Sequence, residues 1–450
     1  MPFPVLGSNS AVAEFAIDNS LRFNSNDSAY LSRTPSSAGN RGIWTVSCWV
    51  KKANPTKRTV LFGTPGSDNN STMQFIFHQD SGIRFGLNTF NVFTTTNTFL
   101  MRDPSAWYHL LLRIDTSQGS SDNRTKFYIN GERFTDFDGN NLNNITNGFQ
   151  YGWNNTIAHT IGAEPTPGDY MDGHIAEFYN IDGQSLAPTE FGEFNDNGVW
   201  VPKEYEGTYG TNGFFLEFQD SGNLGDDTSG NGNDFTANNL TATDQTTDTP
   251  TNNFCTYNAV DTSSNITLSE GNTLATANSN HSASRATIGL RNGKWYWENK
   301  IVSVSGGPAV GVIAANASLG DQLNANPSRF YRNNGEKFSN GSGSSYGNSY
   351  TTNDIIGVAL DLDNGAIYFY KNGTIENSGT AAFTDLLTAT TEHWLPAVKL
   401  YDEAISINFG NPSHSISSGN SDANGYGNFE YAVPTGYYSL CTKNLAEYGG

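Results

Sequence analysis

Hydrolysis of a glycosidic bond asks for two carboxylic acids about 5 Å apart in retaining enzymes and somewhat farther apart in inverting ones. On a strand such a pair must share one face, as in an E-x-D-x-x-E run. The first half of the chain offers Glu164, Asp169, Asp172 and Glu177 without that spacing, and they read as solvated turn acids. The seven histidines (His78, His109, His159, His174, His281, His393 and His414) show no H-x-x-x-H step, and C-x-x-C is missing, so zinc is not expected. No G-x-x-x-x-G-K-[S/T] loop is there to cradle phosphate. Asp220, Asp226, Asp227, Asn231, Asn233 and Asp234 are crowded enough to resemble a Ca²⁺ loop in composition. They lack the D-x-D-x-D-G register and distal Glu of an EF-hand, and ordinary Asx turns explain them too.

The residues between these acids describe a scaffold of strands. Residues 354–373 read DIIGVALDLDNGAIYFYKNG. Two β-rich runs flank Asp363-Asn364-Gly365, and Asn-Gly accepts the positive φ angles of a tight hairpin. A second Asn-Gly follows at 372–373, and KFYING repeats the device at 126–131. Between residues 15 and 197 short strands recur at hairpin spacing, among them IWTVSCWVKK and WYHLLLRID. Trp44, Val46, Cys48 and Val50 alternate with polar residues, which marks a sheet with one face buried. Trp49 is out of step with Trp44, so the two face opposite sides, and one of them is a candidate surface aromatic at a ligand rim. Residues 185–191 (SLAPTEF) suit a single helical turn.

Residues 198–262 change character. The stretch DSGNLGDDTSGNGNDFTANN is a connector with fixed turns, and Phe214, Phe215, Leu216, Phe218 and Phe235 are apolar enough to dock on a neighbour. Strands resume near Ile266 and continue to about residue 412. The boundaries expected are an N-terminal docking arm at 1–10, a sandwich at 11–197, a connector at 198–262, a second sandwich at 263–412 and a tail at 413–450. The fold class expected is all-β: two antiparallel β-sandwich, jelly-roll-like domains joined by an Asn/Gly/Asp-rich connector.

Composition agrees with many turns and few helices. Only 36% of the 450 residues are hydrophobic while 13% are aromatic, and there are 47 glycines. The formal net charge of −20 argues against nucleic acid and against an anionic membrane surface. Three widely spaced cysteines make no disulfide framework, and Cys48 reads as a small buried hydrophobe. The segment MPFPVLGSNS has neither a basic n-region nor a long apolar one, so no signal peptide is expected. No run approaches the roughly 18 apolar residues that span a bilayer. Nor is there a heptad repeat, so a trimer would not form through a coiled coil.

Five segments in order resemble the laminin-G-like, concanavalin-A-like family: FNSNDSAYLS (23–32), WTVSCWVK (44–51), AWYHLLLRID (106–115), KFYINGERF (126–134) and GHIAEFYNIDGQSLAPTEF (173–191). Five more resemble the SPRY family: GKWYWENKI (293–301), AVGVIA (309–314), NDIIGVALDLDNGAIYFYKNG (353–373), WLPAVKLY (394–401) and ISINFG (405–410). The pairing of the two, with DTSGNGNDFTANN, DTPTNNF and the ending PTGYYSLCTKNL, resembles structural proteins of tailed bacteriophages.

These resemblances imply a set of expectations. A Ca²⁺ ion, bound by six to eight oxygens at a sheet rim, would find candidate ligands in Asn26, Asp27, Asp80, Asp115, Asp122 and Asp172. Tyr331, Tyr346 and Tyr350 fall in SPRY-like loops and are expected as exposed ligand-binding aromatics. Trp295 and Trp297 are expected on the core face of their strand with Tyr296 turned outward. The role implied is a non-enzymatic virion protein, a tail fibre or capsid decoration on the virion surface, made in a host cytoplasm. It would bind host-surface glycan or protein, dock on other virion proteins through residues 1–10 and self-associate, most simply as a homotrimer, with no nucleic acid partner and no membrane insertion. Two alternatives stand beside it: a purely structural virion component without ligand, and a glycan-degrading enzyme on the concanavalin-like domain.

Overall fold

The computed structural model describes residues 15–66, 72–80, 82–95, 98–166, 168–278, 281–319 and 327–449. The proposed docking arm at 1–10 lies outside them. The chain is nearly all-β and divides into two compact units, Met1–Thr251 and Asn252–Gly450. The longest α-helix among the described residues is Thr442–Tyr448, and none there is long and apolar enough to cross a membrane.

The first unit is a sandwich of two eight-stranded antiparallel sheets, counted among the described residues. The front sheet is centred on Ile43–Lys52, which pairs with Trp107–Asp115 on one side and Gly173–Asp182 on the other. The alternation read from the sequence sets its two faces. Trp44, Val46, Cys48 and Val50 point into the inter-sheet core with Phe62, Phe75, Phe127 and Phe178. That core is well filled, with a void of only about 10 Å³ between Val46, Leu61 and Phe127.

One expectation changes here. The sheet was read as buried on one face, yet Ile43–Lys52 is buried at nearly every position. The second face is covered by residues distant in sequence. The stretch read as a connector supplies much of that cover. Phe214–Leu216 pairs with Gly173–Asp182, and Gln245–Thr246 pairs with Ser20–Phe23 in the front sheet. Thr236–Asn238 adds an edge strand to the back sheet beside Tyr30–Arg33. The apolar residues noted there dock as expected: Phe214, Leu216, Phe218 and Phe235 enter the inter-sheet core. Phe215 stacks on Tyr179 on the other face, with centroids 4.1 Å apart. At about 25 cal/mol per Å² of apolar surface, each such ring contributes a few kcal/mol to holding the segment down.

The second unit is also a sandwich, of a seven-stranded and an eight-stranded sheet among the described residues. Lys294–Ser303 pairs with Ile355–Asp361, which forms a hairpin with Ala366–Lys371. Asn372 and Gly373 both take positive φ in the turn that follows, as Asn130 and Gly131 do in the first unit. The turn at 362–365 is longer. Only Gly365 has positive φ there, and Asp361 accepts from the backbone and side-chain amides of Asn364 at 3.0 and 2.9 Å. Trp295 and Trp297 are fully buried, as their spacing requires. Tyr296 does lie on the opposite face, but it too is covered, because Phe429 from the tail packs edge-on at 5.4 Å.

Candidate functional site

The outer face of the front sheet carries the residues left over from core alternation. Ser47, Trp49 and Lys51 project there from Ile43–Lys52, opposite Leu111, His109 and Trp107 of the neighbouring strand. His109 is fully buried in this layer. Its Nε2 lies 2.8 Å from Ser47 Oγ, and its Nδ1 accepts the indole N–H of Trp200 at 3.1 Å. An indole nitrogen only donates, so Nδ1 must be the bare nitrogen and Nε2–H donates to Ser47. Burial pushes the imidazole pKa down to about 3, which keeps the ring neutral at any physiological pH.

Trp200 belongs to a short hairpin, Gly192–Phe194 paired with Trp200–Pro202. Its turn is tied by the Asn195 side chain, which accepts from the amides of Asn197 and Val199, each at 3.0 Å. The indole fits between two glycines. A Cβ at Gly192 would stand 2.6 Å from Trp200 Cε2, and one at Gly131 would stand 2.3 Å from Cε3. Gly131 also has φ +81°, in the Asn-Gly turn of KFYING. So the hairpin turn visible in the sequence has a second use, as the wall against which Trp200 lies.

Beside this layer opens a cavity of about 290 Å³. It is lined by Trp49, Trp107, Ile129, Asn130, Glu132, Phe194, Gly198, Val199 and Trp200. Phe194 stands at its mouth, 49% exposed, with its ring edge-on to Trp200 at 5.0 Å. Asn130 is held at the rim by exchanging hydrogen bonds with the backbone of His109, each at 2.8 Å. Three indoles and a phenyl ring make the walls, and Glu132 is the one carboxylate among the lining residues. A mostly apolar concavity with a few fixed polar groups is the usual form of a small-ligand site.

Glu177 lies on the adjoining strand. The pairing shifts between Ala176 and Tyr179, so Glu177 and Phe178 together oppose Cys48. This β-bulge puts Glu177 at φ +51°, rare for a residue with a Cβ. Its buried carboxyl accepts the Tyr179 hydroxyl at 2.5 Å. Desolvation, with Glu217, Glu204 and Asp18 adding repulsion, pushes its pKa up to about 8. Glu177 is therefore no solvated turn acid.

The expected site residues are placed differently. Tyr331, Tyr346 and Tyr350 are buried, not exposed, and gather around Phe369, with Tyr331 stacked on it at 5.2 Å. Each hydroxyl reaches a backbone carbonyl, which allows the whole ring to be buried. Tyr331 donates to Asn348 O, Tyr346 to Thr380 O at 3.1 Å, and Tyr350 to Pro308 O and Tyr331 O at 2.9 and 3.0 Å. They brace loops instead of presenting a surface.

The Ca²⁺ candidates are engaged separately. Asn26 and Asp27 sit in a 3₁₀ turn capped by Asn24, whose Nδ2 donates to Asp27 at 2.8 Å. Asp115 accepts from Ser117 and from Gln118, the latter at 2.6 Å, and Asp122 pairs with Arg133 at 2.8 Å. Asp80 pairs with Arg84 at 3.2 Å, and Asp80 and Asp172 both attract the Lys52 ammonium, which donates to Pro55 O and His78 O. Burial pushes the Asp172 pKa up to about 6 against the pull of Lys57 and Lys52. In the connector, Asp227 accepts from Phe215 N, Ser229 N and Asn233 N, the Asx-turn reading. Among the described residues no cluster of three or more His, Cys, Asp or Glu could hold a metal ion. The letters G-x-S-x-G do occur at 343–347, but Ser345 ends the edge strand Ser342–Ser345 and not a strand-to-helix elbow.

Sequence parity left Trp44 and Trp49 as alternative rim candidates, and it is Trp49 that lines the cavity. Trp107, Trp200, Phe194, Asn130 and Glu132 were not singled out, because no spacing links them. They come from two hairpins and the strand Trp107–Asp115, brought together by the fold.

Comparison with known proteins agrees with this architecture. Residues 23–187 match the family described as the concanavalin A-like lectin/glucanases superfamily, and residues 294–412 match the SPRY domain. The chain thus carries a concanavalin-like domain followed by a SPRY domain. Among solved structures it is similar to the SPRY domain of human HERC1 at 24% identity and TM-score 0.28, covering 34% of this chain and 96% of that one. Another human SPRY domain matches at 21% identity and TM-score 0.26, over 34% and 98%. Stonustoxin matches at 20% identity and TM-score 0.28, over 34% of this chain and 27% of its own.

Proposed function

We propose that this chain is a non-enzymatic recognition protein that takes its ligand, a host-surface glycan or protein group, in the aromatic cavity of the concanavalin-like domain. The observation that carries the reading is the cavity itself, with walls of Trp49, Trp107, Trp200 and Phe194 and polar groups Asn130 and Glu132 at the rim. A ring such as Phe194, half exposed at the mouth, supplies binding area at low entropic cost. Paired-carboxylate hydrolysis is disfavoured there, since the lining has one carboxylate where two are needed.

The biological setting we propose is the surface of a bacteriophage particle, as a tail fibre or decoration. Its support is the segment resemblance, together with the physics of weak sites. Millimolar contacts become effective when several copies are held together, because later contacts are intramolecular.

The test is adsorption of the purified full chain to intact candidate host cells, comparing wild type with Phe194→Ala. Saturable binding that weakens severalfold in the variant, with unchanged thermal stability, is expected. Equal binding by the two proteins would remove the cavity from the mechanism. No binding at all by an intact oligomer would favour the purely structural virion role.

A further inference from the structure

Glu132 is the one carboxylate among the residues that line the cavity. Its carboxylate is exposed at the rim, and among the described residues it forms no ion pair. The neighbouring Arg133 is already committed to Asp122 at 2.8 Å. The other lining side chains are indoles, a phenyl ring, aliphatic groups and Asn130, so no cation among them neutralises Glu132.

Aromatic faces carry negative electrostatic potential and attract a cation placed over them, most strongly when the cation is weakly hydrated. Three indoles and a phenyl ring around one unpaired carboxylate therefore match a bulky, poorly hydrated positive group. A neutral sugar would stack on the rings and could donate a hydroxyl to Glu132, but it would leave the carboxylate's charge uncompensated. A simple ammonium would pay more to leave water.

We propose that the cavity binds an alkylated ammonium group, with Trp49, Trp107, Trp200 and Phe194 around the cation and Glu132 as its counter-charge. This rests on the reading of the cavity as the ligand site. Two sources share that chemistry: a choline substituent on a surface glycan or lipid, and a methylated lysine in a protein.

The experiment is titration of the full chain with choline, phosphocholine and a trimethyl-lysine peptide, followed by calorimetry and tryptophan fluorescence. The control ligand is the carbon isostere of choline, in which a tert-butyl group replaces trimethylammonium. Saturable binding of at least one cation, with the isostere about tenfold weaker or worse, is expected. Glu132→Gln should weaken the cation about tenfold and leave the isostere unchanged, with a melting curve coincident with wild type. The tighter of phosphocholine and the peptide identifies the source. Equal affinity for cation and isostere, or no change in Glu132→Gln, overturns the proposal. So does absence of cation binding while Phe194-dependent cell adsorption persists, an outcome that leaves the recognition role standing. Loss of Phe194 dependence as well removes both readings.

Discussion

Trp200 and His109 are 91 residues apart in the chain and share a hydrogen bond of 3.1 Å, indole N–H to imidazole Nδ1. The bond ties the hairpin of Trp200 to the sheet beneath it and fixes the tautomer of the ring. Replacing His109 with Phe keeps an aromatic ring, somewhat larger than the imidazole, and removes both of its side-chain hydrogen bonds. Trp200 Nε1 and Ser47 Oγ would then be buried without partners, at about 1–3 kcal/mol for each orphaned group. Chemical denaturation should show that loss, and ligand affinity should fall with it as Trp200 loosens.

Gly192→Ala tests the same wall from the other side. No unusual φ is needed at Gly192, so the added methyl acts only by colliding with Trp200 Cε2. Overpacking of this kind costs about 1–3 kcal/mol. The expected result is a lower denaturation midpoint with a shifted tryptophan emission maximum. An unchanged spectrum would mean that Trp200 does not rest on that glycine.

The pH dependence of the first domain should have two limbs of opposite sign. His109 and His159 are held down to about 3 by burial, and His174 lies well below its ordinary 6.5. Between 6.5 and 3 the unfolded chain takes up protons that the folded one refuses, so stability falls on acidification through that range. Glu177 acts the other way. Its folded pKa of about 8, against 4.5 ordinarily, means that its contribution is complete below 4.5 and is lost as pH rises to about 8. Glu177→Gln keeps a carbonyl for Tyr179 and cannot ionise. Its melting temperature should match wild type near pH 5 and exceed it near pH 9.

Tyr350→Phe should lower stability by about 1–3 kcal/mol, because the hydroxyl leaves two buried carbonyls behind. Ligand binding should not change, since Tyr350 belongs to the second unit and does not line the cavity. A binding defect with normal stability would return this tyrosine to the recognition surface.

Chelation should leave the melting profile unchanged. Asp80 is paired with Arg84, Asp122 with Arg133, and Asp115 is held by Ser117 and Gln118. A drop in melting temperature with EDTA, restored by Ca²⁺, would locate a metal elsewhere in the chain.

Local signals described the scaffold well and its coverings poorly. The parity of Trp44 and Trp49 correctly assigned them to opposite faces, and both Asn-Gly turns at 130–131 and 372–373 took positive φ. What period-2 patterning could not show was that the outer face would also be buried, because the cover comes from Phe215 and Trp200, far along the chain. The same holds in the second domain. Glu298 is buried, and its carboxylate accepts from the backbone of Glu430 and Tyr431 at 2.9 and 2.8 Å. Nothing in KWYWENKI announces that a tail residue more than a hundred positions away will be its partner. The tyrosines of the 331–350 region failed for a related reason. Tyr331 lies in the strand Ser328–Arg332 and not in a loop, and for Tyr346 and Tyr350 a loop position argues for exposure only until the hydroxyl finds a carbonyl within reach.

Lys51 projects from the front sheet and meets Asp248 at 2.7 Å, both side chains almost wholly enclosed, 197 positions apart in the chain. An enclosed ammonium without its counter-charge is strongly unfavourable. During synthesis at about 5–20 residues per second, roughly 10–40 seconds separate the making of Lys51 from that of Asp248. For that interval the nascent sheet must keep its outer face open to water, and the first domain can close only after its last strand has left the ribosome.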